Sequence, residues 1–136
     1  MVGLTLPDDW VVVHDRGPDF DTWRAIPLRP LGRFAGQVVV SIDPYPDRSI
    51  PPEATLSEPG KLLGKAVTWR GKRDASGGFF TVTEPIASGP RLTPAGGGAA
   101  IAHDDTRYAQ VVVAARDPRM LDDFRKVAET LALTPR

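Results

Sequence analysis

Apolar and polar residues alternate along this chain in short runs, and the first clear run is Trp10-Val11-Val12-Val13-His14. β-branched and aromatic residues at that density suit a pleated strand. A weaker β-prone run at 4–6 precedes it, separated by the turn residues Pro7-Asp8-Asp9. Residues 15–21, with Gly17-Pro18, read as a loop, and 23–28 as a weak strand limited by Pro27 and Pro30. Residues 34–42 carry Val38-Val39-Val40, a continuous apolar run of the kind that suits a strand covered on both faces. Pro44, Pro46, Pro51 and Pro52 then predict an irregular connection.

Thr55, Leu56 and Glu58 can open a helix, but Pro59-Gly60 interrupts it, so the expectation over 55–63 is one short helical turn. Residues 66–70 and 79–83 are two β-rich runs, and the polar, glycine-rich stretch 71–78 between them predicts a hairpin loop. Residues 85–98 read as a further Gly/Pro loop with a short extended piece near Ile86. Residues 99–103 are a weak strand, and 107–115 a strong one centred on Val111-Val112-Val113.

Near the end the period changes. Met120, Leu121, Phe124, Val127, Ala128 and Leu131 recur at the three-and-four spacing of one apolar helical stripe, with Asp122, Asp123, Arg125, Lys126 and Glu129 opposite. Asp117 is placed to accept a first-turn amide, Pro118 suits the first helical position, and Pro135 follows the end. A helix over 118–133 must bury its stripe, and the large apolar surface within reach is a sheet. Short connections favour antiparallel pairing, because parallel crossovers need roughly a dozen residues or more. The expected fold class is therefore α+β, an antiparallel β-sheet packed by a C-terminal α-helix, in one domain over 1–136.

Composition adjusts this picture in three ways. At 136 residues the chain can bury a core without staples, and it has no cysteine, which removes disulfides, thiolate nucleophiles and Cys-ligated metal sites. Seventeen basic residues balance seventeen acidic ones, so the basic surplus of a dedicated nucleic-acid binder is missing. The first ten residues lack a basic n-region and an apolar h-region, and no apolar run approaches the roughly 20 residues of a membrane span. The expectation is a cytoplasmic chain without a membrane partner.

Candidate chemistry is sparse. His14 and His103 are the two histidines, and Asp104 and Asp105 beside His103 make a metal or acid–base site conceivable, without any recognised ligand spacing. The serines form no G-x-S-x-G elbow. Gly96-Gly97-Gly98, Gly60-Lys61 and Gly64-Lys65 fail the phosphate-loop pattern, the last two having Leu62 and Ala66 where Ser or Thr should stand. No catalytic residue and no cofactor is expected. The feature that stands out is charge: Lys61, Lys65, Arg70, Lys72 and Arg73 come without an intervening acid. Trp69, Arg70, Lys72 and Arg73, at the predicted hairpin, are the candidate partner-binding residues, a basic tip with an aromatic neighbour for an acidic protein surface. Of Trp10, Trp23 and Trp69, at least two are expected to be mostly buried.

The opening Leu4-Thr5-Leu6-Pro7-Asp8-Asp9-Trp10 resembles the start of PsbP-like domains, a fold shared with the Ran-binding Mog proteins, and residues 108–115 with 117–133 resemble their last strand and closing helix. The resemblance covers roughly the first ten and last thirty residues. It implies an antiparallel sheet with packed helices and a binding role, since members are mostly binding modules: extrinsic photosystem subunits, transport factors, lipoproteins and chaperones for secreted effectors. It carries no catalytic set. The expected function is a non-enzymatic protein-interaction module, such as a chaperone or immunity protein for a secreted bacterial toxin effector. The alternatives are a small-ligand binder using a pocket between sheet and helix, and an enzyme with dispersed catalytic groups.

Overall fold

A computed structural model describes residues 2–17, 21–28, 36–43, 51–86, 90–94, 100–104 and 107–133, the side chains of 90–94 and 100–104 excepted. In chain order the strands are β1 (Val2–Gly3), β2 (Trp10–Arg16), β3 (Asp21–Pro27), β4 (Gly36–Asp43), β5 (Leu56–Leu62), β6 (Lys65–Asp74), β7 (Gly77–Ile86), β8 (Pro90–Pro94), β9 (Ala100–Asp104), β10 (Arg107–Ala115) and β11 (Ala132–Leu133). A 3-10 turn at Pro118–Met120 leads into helix α1 (Leu121–Ala128). Seven strands form one antiparallel sheet in the order β2-β3-β4-β10-β7-β6-β5, while β1 pairs with β11 and β8 with β9. Two meanders, β2-β3-β4 and β5-β6-β7, are thus stitched together by β10, which lies between β4 and β7.

The valine runs explain the centre. In β4 and β10, Val38 and Val40 pair across from Val113 and Val111 and are fully buried, while the alternating Val39 and Val112 are partly exposed. One face of the sheet therefore carries the core, continued by Ala25, Phe80, Val82, Val67 and Trp69. Helix α1 packs on β10, β4 and β7 through Leu121, Phe124, Val127 and Ala128. Asp117 caps as the sequence predicts, accepting a bond from the Arg119 amide at 2.9 Å with Pro118 at the first position.

Four expectations are corrected. The helix is shorter than 118–133, because residues after 130 are claimed by another partner. Thr130 receives the Thr5 amide on its Oγ1 at 2.8 Å, Leu131 closes the turn onto the Ala128 carbonyl, and Ala132–Leu133 pair with β1. Residues 55–63 are strand β5, not a helical turn. Pro59 is tolerated there because β5 is an edge. The Lys61 amide points away from β6, toward Glu129, so the same-side position at Pro59 had no ladder bond to lose. The loop expected over 71–78 shrinks to Ala75-Ser76, since β6 runs to Asp74 and β7 starts at Gly77. Asp74 holds that turn by accepting bonds from the Ser76 amide and hydroxyl. The loop expected over 85–98 instead contains the end of β7 and all of β8.

Smaller differences follow the same logic. Residues 4–6 are not a strand, although Leu4 and Leu6 pack against the core. Trp69 is fully buried, and Trp10 and Trp23, on β2 and β3 at the end of the sheet, keep only a minor part of their surface exposed, in line with the expectation that at least two are mostly buried. The β5–β6 turn uses Leu63 (φ 52°) and Gly64 (φ 76°), the pair of left-handed residues that a two-residue hairpin of right-handed twist requires. Most of the irregular connection expected at 43–52 lies outside the described residues.

Candidate functional site: the sheet face opposite the helix

Strand alternation splits the four residues of the predicted basic tip between the two faces of the sheet. Trp69 and Arg73 stand on the helix face; Arg70 and Lys72 stand on the other. Once the turn is only Ala75-Ser76, no basic tip exists for them to share.

The helix-face pair is structural. The Trp69 indole is enclosed and donates to Glu129 Oε2 at 3.4 Å. The neighbouring Gly60 leaves it room, since a Cβ there would come within 2.4 Å of the indole nitrogen. Arg73 donates to Asp122 Oδ1 at 2.7 Å and approaches Glu58 at 3.7 Å, while Arg125 bonds Glu58 from the helix side. Both guanidiniums lie over the Phe80 ring, at 5.7 and 5.1 Å from its centroid. This Arg73–Asp122–Arg125–Glu58 cluster fastens α1 to β5 and β6, with its charges already paired.

The opposite face differs in kind. One cross-strand row reads Val13, Arg24, Val39, Val112, Thr81, Arg70, Ser57, one residue from each strand of the sheet. Arg24 and Arg70 therefore bracket Val39, Val112 and Thr81, about 19 Å apart over four strand spacings. The Nε of each is buried and has no hydrogen-bond partner. The adjoining row is Thr22, Ser41, Gln110 and Thr83, with the Thr22 and Ser41 hydroxyls 3.3 Å apart. Lys72 lies on the same face, 3.4 Å from Asp74.

Such a surface offers two planar cations, each with an unpartnered Nε, at the ends of an apolar strip, beside a line of hydroxyl and amide groups. Guanidinium forks match carboxylates bidentately, so the arrangement suits an acidic, extended or flat partner better than a small molecule. Lys72 and Arg70 were legible as basic residues, but Arg24 was not singled out. Its signal was available: a lone cation inside the apolar run Trp23-Arg24-Ala25-Ile26.

The histidines do not make a site together. His14 Nε2 meets Asp21 Oδ1 at 2.9 Å, and the imidazole stacks on Trp23 with centroids 4.6 Å apart and planes 6° from parallel. Arg16 approaches the same carboxylate at 3.8 Å. This is a cross-strand cluster on the helix face that ties β2 to β3. The side chain of His103 lies outside the described residues. Among the described residues, no group of three His, Asp or Glu is placed to hold a metal ion. A shallow groove is lined by Leu63, Gly64, Lys65, Pro85, Ile86 and Leu131–Leu133; only Lys65 there is ionisable, so it lacks the converging polar groups of a small-ligand site. Among the described residues, no helix is long and apolar enough to cross a membrane.

Comparison with known proteins gives no match: no protein-family model, no curated protein and no solved structure is similar enough to this chain to be identified as a relative.

Proposed function

We propose that this chain is a non-enzymatic protein-interaction module that takes an acidic segment of another protein across the sheet face opposite α1. The observation that carries the reading is the pair Arg24 and Arg70, set in one row of that face with buried and unpartnered Nε atoms. A buried donor left without an acceptor is destabilising, and a partner's carboxylates would relieve it. Arg125 also has an unpartnered Nε, but it and Arg73 already have carboxylates from this chain. The Thr22–Ser41–Gln110–Thr83 row would give such a segment polar contacts, and Val39 and Val112 an apolar floor.

The likeness of the two ends to PsbP-like and Mog-type domains supports the same reading, because that superfamily is mostly made of binding modules. Within it, a chaperone or immunity protein for a secreted bacterial toxin effector fits a small, neutral, cysteine-free chain. Cysteine-free composition and the absence of an apolar spanning run agree with a cytoplasmic place of work.

The test is a co-purification from the native source at matched bait levels, using the wild type, Arg24→Glu/Arg70→Glu and Arg73→Glu. A one-to-one partner that the wild type and Arg73→Glu retain, and the Arg24/Arg70 double variant loses roughly a hundredfold in affinity, is the expected result. Thermal unfolding of the double variant should stay close to wild type, since neither arginine forms an ion pair with another described residue. A partner held equally by the double variant removes this face from consideration.

A further inference from the structure

A separate feature concerns the free end of the main sheet. Strand β2 is an edge, and Val11, Val12 and Val13 along it are 40%, 47% and 44% exposed. Exposed sheet edges are usually blunted by proline, lysine, a bulge or a covering segment, because their unpaired amides and carbonyls invite another strand. Over Trp10–Arg16 there is no proline, glycine or lysine, and the pairing with β3 runs without a bulge from Trp10↔Pro27 to Arg16↔Asp21. The direction of the free groups follows from the ladder. The Asp9 carbonyl accepts the Leu28 amide at 2.7 Å, so the odd positions bond toward β3. The backbone groups of Trp10, Val12, His14 and Arg16 therefore point outward.

We infer that β2 pairs antiparallel with the β2 of a second copy of this chain, about a two-fold axis at Val12, joining two sheets into one. The sequence of the strand selects its own copy as occupant. With the axis at Val12, each position pairs with one of the same parity, so both helix faces lie on one side. Val12 meets Val12 of the second copy, Val11 meets Val13, and Trp10 meets His14, which covers all three exposed valines with valines. β-branched cross-strand pairs of this type are favourable. The pairing ends there, because Asp9, which would come opposite Asp15, sits in the preceding turn at φ 71°. A foreign strand would need to supply that pattern; the second copy has it by symmetry.

The contact is tested on the isolated protein, independently of any acidic partner. Sedimentation velocity over a concentration series should show a monomer–dimer equilibrium for the wild type. Val12→Lys places like charges across the axis and should weaken self-association by roughly tenfold or more, with an unchanged unfolding midpoint because Val12 is exposed. Because the chain has no cysteine, Val12→Cys is a clean second probe. Residues facing each other in an antiparallel hydrogen-bonded pair have Cα atoms about 5.5 Å apart, within disulfide reach. Mild oxidation should link Val12→Cys into dimers, but not Val11→Cys, whose copies stand diagonally at about 7–8 Å. A wild type that stays monomeric throughout, a dimer indifferent to Val12→Lys, or equal linking of both cysteine variants overturns the inference. A monomer whose β2 accepts only an unrelated extended peptide overturns it as well.

Discussion

Strand β2 closes one end of the main sheet with three exposed valines, while β5 closes the other with Pro59, Gly60 and Lys61. At β5 several means of refusing a further strand are in use. Proline removes one outward amide, Glu129 accepts the Lys61 amide, and the Arg73–Asp122–Arg125–Glu58 cluster crosses from the helix to β5 and β6. At β2 there is no proline, lysine or bulge, and no described residue covers it as Glu129 covers β5, although the two edges are equally long, at seven residues each. An edge that only had to stay soluble would be guarded in the same way at both ends. The asymmetry indicates that β2 is kept open for pairing, and that α1 does two jobs: it covers the core with one side and guards β5 with its C-terminal end.

Removing the helix's anchor should break the comparison most severely. Phe124 is 2% exposed, meets the Trp10 ring edge-on with centroids 5.0 Å apart, and sits so close over Gly36 that a Cβ there would lie 2.4 Å from its ring. Phe124→Ala should cost about 3–5 kcal/mol of unfolding free energy in urea titrations, the usual range for emptying such a site. As the helix loosens, amide exchange at Lys61 should accelerate more than at Val11 or Val13, whose bonds run to β3. Equal acceleration at both edges would mean that α1 does not guard β5 selectively.

A milder change addresses the guard itself. Glu129→Ala leaves the enclosed Trp69 N–H and the Lys61 amide without their shared acceptor. An unsatisfied buried donor costs about 1–3 kcal/mol, and the 3.4 Å indole contact argues for the lower end. The more telling readout is light scattering: with a second edge opened, the variant should form assemblies larger than a dimer. Glu129→Gln keeps an acceptor oxygen and should show neither effect strongly. If Glu129→Ala self-associates no more than the wild type, β5 is guarded by Pro59 and the ion-pair cluster alone.

Much of this asymmetry was hidden in the sequence, for reasons that can be named. The valine runs of β4 and β10 and the cap at Asp117-Pro118 were legible because one local rule dominates each. Strand β5 was misread because Pro59-Gly60 signals a break everywhere except at an edge, and edge position is a tertiary fact. The helix was overextended because its stripe continues through Leu131, and only the pairing of β11 with β1 shows where it stops. The basic tip dissolved for a period-two reason. Whether Trp69, Arg70, Lys72 and Arg73 share a surface depends on whether they lie in a turn or a strand, and a loop over 71–78 takes in four residues of β6 and two of β7. Arg24 and Arg70 are 46 positions apart, so only the register through β4, β10 and β7 brings them into one row.

The smallest expected effect probes the guard from its far end, where Asp117 starts the turn that leads into α1. The Arg119 guanidinium, followed by the Arg119 backbone amide, holds the Asp117 carboxyl below the ordinary carboxylate range. A group whose folded value is lowered gives its full stabilisation above the unfolded value, about 3.9, and loses it as the pH falls through the folded one. Between neutrality and about pH 5 the cap should therefore be constant, and it should fade only below the ordinary carboxylate value. The Arg119 amide shift, followed by NMR, should report a midpoint lower than for an isolated aspartate. Asp117→Asn should abolish that titration while keeping an acceptor, and Asp117→Ala should lower the melting temperature slightly at neutral pH. In the alanine variant any extra amide exchange should appear at the start of α1 and, faintly, at Lys61, but not at Val11 or Val13. Extra exchange at the β2 positions would show that the two ends of the sheet are coupled through the helix, and that the open edge depends on the same support as the guarded one.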